Sequence, residues 1–219
     1  MLWKRSVFIK VIDNFLTKSY HKNILELLIS DNFDWYYSDN ISYTKEEFTS
    51  MFGTNKSYST NFNEYGFTHW FWHKMTGPRD TQYSHFIKPA LYQILDVANC
   101  DFILRARADM VTWSGKEDFI HPAHTDLNVP NIASVFYVNE SDGDTIFYNV
   151  KFDDVPKDKD LKDLKEYDRV SPKANRLVIF DGDLLHTGCS PSKHKNRILI
   201  NSNFIKSENV EEYQKYYGQ

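Results

Sequence analysis

RLVIFDGDLLHTGCSPSKHKNRILINSNF, residues 176–204, is the stretch that decides the fold. Residues 177–180 are an apolar, partly β-branched run, and Asp181-Gly182-Asp183 is a tight-turn signal that ends it. His186 follows directly. Residues 197–204 then alternate with the period of a strand. Arg197, Leu199, Asn201 and Asn203 share one face, and Ile198, Ile200 and Phe204 share the other. If the first face points into a β-barrel, a guanidinium and two amides are buried there. That is costly unless something polar meets them. A dicarboxylate would suit, because a guanidinium grips a carboxylate through two parallel hydrogen bonds. Taken alone, Arg197 also fits a structural ion pair.

Working upstream, the chain is strand-rich from about residue 100. Residues 102–113 alternate, with Leu104, Ala106, Ala108 and Met110 on one face and Arg105, Arg107 and Asp109 on the other. Arg105 and Arg107 read as an ion-paired or solvated face, or as an inward anion-binding one. Residues 132–139 (IASVFYVN) are β-branched and aromatic. A turn cluster at 141–144 precedes a new strand at 145–150, so a hairpin is expected. Residues 151–169 carry roughly equal numbers of basic and acidic side chains. They read as a solvated loop with a short helix near 161–164, or as a lid over a site.

The first half is mixed. A strand is expected over 7–11, then a helix capped by Thr17 or Ser19 and running to about 29, with Tyr20, Ile24, Leu27 and Leu28 on its apolar face. Residues 38–66 read as loop with short elements, and 67–73 (FTHWFWH) as a strand whose Trp70 and Trp72 belong to the core or to a substrate-facing rim. Residues 83–98 return to helical spacing through Phe86, Ile87, Leu91, Ile94 and Leu95. Helices followed by a run of short strands predict one α+β domain over 1–219. Residues 1–100 would be a supporting helical region and 101–206 a β-sandwich or barrel core, with a charged insertion at 151–173.

Composition narrows the function. In 219 residues, 41% are hydrophobic and 26% charged, which suits a packed core and not a disordered chain. Lys plus Arg number 26 against 30 Asp plus Glu, a net charge of −4. That weighs against a nucleic-acid partner. Two cysteines, Cys100 and Cys189, cannot build a disulfide framework or a four-thiolate zinc site. No apolar run is long enough to cross a membrane, and the N-terminus lacks the pattern of a secretory signal. The expected setting is the cytoplasm.

Eight histidines are available, and two stand out by context. His124-Thr125-Asp126 places an imidazole and a carboxylate at i and i+2, which on an extended segment puts both on one side. His186, after its strand and turn, can join them only through tertiary folding. Two histidines and one carboxylate with open remaining positions form the facial triad of non-haem Fe(II) oxygenases. Zinc with the same ligands plus water is chemically open too. His121, three residues before His124, is out of strand phase with Asp126. It reads as a supporting or solvent-facing residue.

Taken together, HPAHTD (121–126), SVFYVNESDGDTIFY (134–148), RLVIFDGDLLHTGCSP (176–191) and NRILINSNF (196–204) resemble the Fe(II)- and 2-oxoglutarate-dependent oxygenases of prolyl-4-hydroxylase-like type. The opening VIDNFLTKSYHKNILELL is similar to that family's leading strand and helix. The resemblance implies a double-stranded β-helix, a jelly-roll, cupin-like barrel with the metal at one open end. It implies that His124, Asp126 and His186 bind Fe(II) and that Arg197 holds the distal carboxylate of 2-oxoglutarate, with Tyr137 donating to the same carboxylate. Asn201 and Asn203 would lie near cosubstrate or substrate. The implied reaction consumes O2 and decarboxylates 2-oxoglutarate to succinate while hydroxylating an unactivated C–H of a protein side chain or a small molecule. The hairpin departs from the family by carrying Asp142-Gly143-Asp144 where Gly-Gly is usual. Two other readings stay open: a non-catalytic jelly-roll module that binds a metal or ligand, and an enzyme oxidising nucleic-acid bases.

Overall fold

A computed structural model describes residues 7–41, 65–73, 77–78, 81–113, 115, 119–127, 129–151 and 164–217. The chain runs β1 (Ile9–Ile12), α1 (Lys18–Leu28), β2 (Tyr36–Ser38), β3 (Gly66–His73), β4 (Gly77–Pro78), α2 (Gln82–Ala98), β5 (Phe102–Thr112), β6 (Ile132–Tyr137), β7 (Thr145–Lys151), β8 (Glu166–Val170), β9 (Arg176–Asp181), β10 (Leu184–Gly188), β11 (Asn196–Ile205) and α3 (Val210–Tyr217). An eight-stranded sheet has the order β1-β9-β6-β11-β5-β3-β2, with β4 beside β3. A three-stranded sheet has the order β10-β7-β8. Bridges Ile120↔Cys189 and His124↔His186 lay residues 120–124 along the free side of β10 and widen this small sheet. The result is a jelly-roll-like sandwich with few helices, matching the expected double-stranded β-helix.

Two apolar layers follow from the period-two pattern. The outer face of the large sheet, including Phe136, Leu177, Ile179, Ile198, Ile200 and Phe204, packs on Ile24 and Leu28 of α1 and Ile87, Leu91 and Ile94 of α2. The inner face, with Val135, Tyr137, Val178, Phe180 and Leu199, packs on Phe147, Val170 and Leu184 of the small sheet. Each fully buried side chain of this size is worth roughly 1.5–3 kcal/mol of hydrophobic stabilisation. The supporting helices therefore fix the large sheet from outside and leave its inner face to the site. Thr81 Oγ1 caps α2 by accepting from Ser84 N–H at 3.2 Å. Thr17 holds the cap position of α1 without a side-chain hydrogen bond.

Several expectations are corrected. Residues 132–139 and 145–150 form no hairpin: β6 lies in the large sheet and β7 in the small one, so the 141–144 turn is a crossover between sheets. Asp142 explains why. It reaches away to accept from Ser192, Lys193 and His194 backbone N–H groups at 2.8–3.0 Å, tying the crossover to the loop before β11. Leu104 does not share the face of Ala106 and Ala108. The β5–β11 register shifts between Asn203 and Phe204, and Leu104 falls at that bulge, packing with Leu127, Val129 and Ile205. Within the charged stretch, 166–170 is a strand whose Arg169 pairs with Glu166 and Asp144. Of the loop expected over 38–66, residues 42–64 lie outside the described residues, while Ser38 ends β2 and Gly66 opens β3. Residue span 152–163, which holds most of the expected short helix and lid, also lies outside them. Cys100 and Cys189 are not disulfide-linked. No helix among the described residues is long and apolar enough to cross a membrane.

Candidate metal centre and carboxylate pocket

His124 and His186 are brought together by backbone. His124 N–H donates to His186 O at 2.8 Å and His186 N–H to His124 O at 3.0 Å, so the residues sit directly opposite in an antiparallel bridge. Such facing residues project to the same side. Their ring centroids lie 4.7 Å apart. In each ring Nδ1 is 2.9 Å from a carbonyl oxygen two residues back, Pro122 O for His124 and Leu184 O for His186. A carbonyl can only accept, so each Nδ1 carries the proton and each Nε2 is left with its lone pair. Asp126 lies two residues beyond, and one ligand atom from each of the three residues falls within 4.8 Å of the others.

The electrostatics suit a cation. Burial, then the neighbouring His186 ring, pushes His124 down to about 3. Burial also lowers His186. Both imidazoles are therefore neutral near pH 7. Burial alone would raise Asp126, but Arg105 and the two histidines outweigh it and hold the carboxyl well below its usual range. Arg105 Nη2 lies 2.7 Å from Asp126 Oδ1. Asn203 Nδ2 donates to Asp126 Oδ2 at 3.2 Å.

The second cluster lies between the same two sheets, with Arg197 and Tyr137 on the large one and Thr145 on the small one. Arg197, at the start of β11, is buried, and its Nη2 donates to Thr145 Oγ1 at 2.7 Å. Tyr137 O–H donates to the same oxygen at 2.6 Å. The guanidinium stands 5.5 Å from the Tyr137 ring centre. Burial raises the Tyr137 phenol above its ordinary value, so it stays a donor. Gly188 makes room for this arrangement, since a Cβ there would come within 2.9 Å of Arg197 Nη1. Buried Arg197 Nε and Asn201 Oδ1 have no hydrogen-bond partner among the described residues. A pocket lined by His124, His186, Thr145, Arg197, Leu199 and Asn201 joins the two clusters.

This donor set fits the implied groups. Two neutral imidazoles and one anionic carboxylate match a divalent metal with open positions. An unsatisfied buried guanidinium edge beside a phenol and a hydroxyl matches a carboxylate.

The structure brings His124, Asp126 and His186 together and joins Arg197 and Tyr137 through Thr145. Asn201 faces the pocket, while Asn203 turns to Asp126 and to Asn131 Oδ1, 2.9 Å away. His121 is buried, borders the pocket, and lies 2.9 Å from Ser190 Oγ. Arg107 pairs with Asp109 at 2.7 Å and lies over the Trp70 ring. Thr145, Asn131 and the pairing of Arg105 with Asp126 were not anticipated. Thr145 carries a faint signal, as the first residue of a strand aligned by period two with the barrel interior. Asn131 has none, because it acts through an irregular segment.

No protein-family model matches the sequence, and no curated protein is detectably similar to it. Solved structures are similar in fold. A prolyl hydroxylase from Trichoplax adhaerens, in complex with a hypoxia-inducible-factor oxygen-degradation-domain peptide, superposes with TM-score 0.56 at 14% identity, covering 96% of this chain and 87% of that one. A prolyl-4-hydroxylase from Pseudomonas putida gives 0.50 at 12% identity, over 92% and 94%. The non-haem α-ketoglutarate-dependent epimerase SnoN from nogalamycin biosynthesis gives 0.59 at 7% identity, over 91% and 76%. The chain thus has the double-stranded β-helix fold of the 2-oxoglutarate oxygenases and carries within it an HxD…H triad of His124, Asp126 and His186.

Proposed function

We propose that this chain is an Fe(II)- and 2-oxoglutarate-dependent dioxygenase that hydroxylates a protein side chain or a small molecule. The observation that carries the reading is the coincidence, around one pocket between the two sheets, of the His124–Asp126–His186 triad and the Arg197–Tyr137–Thr145 cluster. Either alone has ordinary explanations. Together they match the two ends of one bidentate oxo-acid.

In this reading His124 Nε2, His186 Nε2 and Asp126 hold Fe(II), which when bound supplies the oxidising chemistry with O2 and 2-oxoglutarate. Arg197 binds the distal carboxylate through its guanidinium, and Tyr137 turns its single hydroxyl proton from Thr145 Oγ1 to the same group. Thr145 Oγ1 continues to accept from Arg197 Nη2 and holds the guanidinium in place. Leu199 and Val135 line the pocket between the clusters and exclude water from the reacting end. Asn201, with its unsatisfied carbonyl oxygen, orients a cosubstrate or substrate donor.

Hydroxylation is preferred because two of the similar folds belong to prolyl hydroxylases, one of them bound to a peptide. The similarity to an epimerase keeps a second outcome in view. The test is anaerobic addition of Fe(II) and 2-oxoglutarate, followed by the visible charge-transfer band of the chelate. The band is expected in the native protein and lost in His186→Ala and Arg197→Ala. Its absence from a folded, iron-loaded sample overturns the proposal. With a substrate found, a product heavier by one oxygen atom supports hydroxylation, and one of unchanged mass supports epimerisation.

A further inference from the structure

Three charges on the inner face of β5, Arg105, Arg107 and Asp109, need partners, and the two arginines find different ones. Arg107 Nε meets Asp109 Oδ1, two residues along its own strand, at 2.7 Å. Arg105 instead crosses to the metal-site carboxylate, its Nη2 being 2.7 Å from Asp126 Oδ1 with the side chains 10% and 4% exposed. Its Nε donates to Asn203 Oδ1 directly across the β5–β11 ladder. The amide of Asn203 then donates to Asp126 Oδ2 at 3.2 Å and to Asn131 Oδ1 at 2.9 Å. Asn131 is fixed in turn. Its Nδ2 donates to Val129 O at 2.8 Å, and its own carbonyl accepts from Gly182 N–H at 2.9 Å. A Cβ on Gly182 would overlap the Asn131 side-chain amide.

The need for this chain of contacts is local. The two histidine rings are oriented by the backbone carbonyls of Pro122 and Leu184, two residues back in each paired segment. Asp126 lies past the last bridge, in an irregular stretch with no ladder to aim it.

We propose that Arg105 is a positioning residue for the metal centre: with Asn203, and through Asn131 and Gly182, it clamps both oxygens of Asp126 and builds the triad before a metal arrives. The inference rests on the reading of His124, Asp126 and His186 as a metal site. A guanidinium on one oxygen and a primary amide on the other fix the carboxylate plane. The ion pair is also neutral, so a divalent ion bound there keeps its charge for an anionic cosubstrate.

The test is anaerobic titration of the metal-free protein with Co(II), read by calorimetry and by the visible spectrum, with thermal unfolding of each variant alongside. Arg105→Met is expected to weaken Co(II) binding 10–100-fold, the range found when partners of metal ligands are removed. Arg105→Lys, which keeps the buried charge, should recover part of the loss. Gly182→Ala, which touches neither metal nor ligand, should weaken binding several-fold and change the Co(II) spectrum by displacing Asn131. If Arg105 is only structural, the variants melt earlier but their folded fraction binds Co(II) with unchanged affinity and spectrum, which overturns the inference. Should Arg105→Met fail to fold, Arg105→Lys, Asn203→Ala and Gly182→Ala decide by the same criterion. Native protein that takes up no Co(II) removes the metal-centre reading and this inference with it. Native uptake with indifferent variants removes this inference alone.

Discussion

His124 and His186 are held face to face by a reciprocal pair of backbone hydrogen bonds, 2.8 and 3.0 Å long, so the spacing of the two imidazoles is set by a β-bridge and not by side-chain packing. The bridge ties the segment before Asp126 to β10, with the His186 ring buried and the His124 ring largely so.

That burial has a signed consequence for the metal-free protein. The ordinary histidine value is 6.5, and His124 is pushed down to about 3 by burial and then by His186. The unfolded chain therefore binds a proton that the folded chain refuses. Stability present above pH 6.5 should fall on acidification through the window down to about 3, at ~1.4 kcal/mol per pH unit for this group. Chemical denaturation of metal-free protein between pH 7 and 5 measures the slope. His124→Asn should flatten it; an identical slope in that variant contradicts a buried neutral imidazole.

Thr145 is the shared acceptor of Tyr137 O–H and Arg197 Nη2. Thr145→Val keeps the shape and removes the oxygen, taking the acceptor from Arg197 Nη2 and leaving Tyr137 O–H only the longer contact with Val170 O at 3.4 Å. The expected cost is ~1–3 kcal/mol of stability. Added 2-oxoglutarate should restore part of it, because its carboxylate would supply acceptors to the same donors. Thermal unfolding with and without 2-oxoglutarate, in the presence of Mn(II), measures both effects. A variant as stable as the native protein shows that the cluster carries no strain-free hydrogen bonding worth keeping.

The sequence was legible where periodicity and chemistry coincide. Residues 197–203 alternate, and the structure places Arg197, Leu199 and Asn201 along the pocket. The HxD spacing likewise foretells that His124 and Asp126 share a side. Three things were hidden. Residues 132–139 and 145–150 look like a hairpin because turn residues separate two strands, yet local turn signals do not say whether the chain doubles back in one sheet or crosses to another. The carboxylate of Asp142, bonded far along the chain at 192–194, settles that. Strict alternation puts Leu104 with Ala106 and Ala108, and a bulge breaks that alternation. The pairing of Arg105 with Asp126 joins a strand to an irregular segment, and no spacing rule connects them.

Asp142 should therefore be a structural residue with a pH signature. Burial alone would raise its pKa, but hydrogen bonds from His194, Ser192 and the Ser192 and Lys193 amides hold it well below its ordinary 3.8. Its contribution is fully present above about pH 4 and declines as the pH falls towards the folded value. Asp142→Ala should cost ~1–3 kcal/mol at pH 7, and the gap between variant and native should narrow below pH 4. A gap independent of pH would mean that the side chain acts by packing and not by charge.

Arg197 offers the sharpest separation between the two halves of the site. Arg197→Ala should leave Co(II) or Mn(II) affinity near native, because His124, Asp126 and His186 are held by other contacts. It should weaken 2-oxoglutarate binding by ~2–5 kcal/mol, the cost of removing one partner from a buried, hydrogen-bonded charge pair. Gly188→Ala reaches the same group without deleting it. Its Cβ would come within 2.9 Å of Arg197 Nη1, the mobile end of a long side chain, so the guanidinium must shift while the strand stays in place. A smaller loss of 2-oxoglutarate affinity is expected, again with metal binding intact. Calorimetric titration of metal and then of 2-oxoglutarate reads the two steps separately. Equal 2-oxoglutarate affinity in native, Arg197→Ala and Gly188→Ala proteins would detach the carboxylate site from Arg197. A parallel loss of metal affinity in Arg197→Ala would instead mean that the two clusters form one cooperative unit, and that the polar inner face of β11 shapes the triad as well as the pocket beside it.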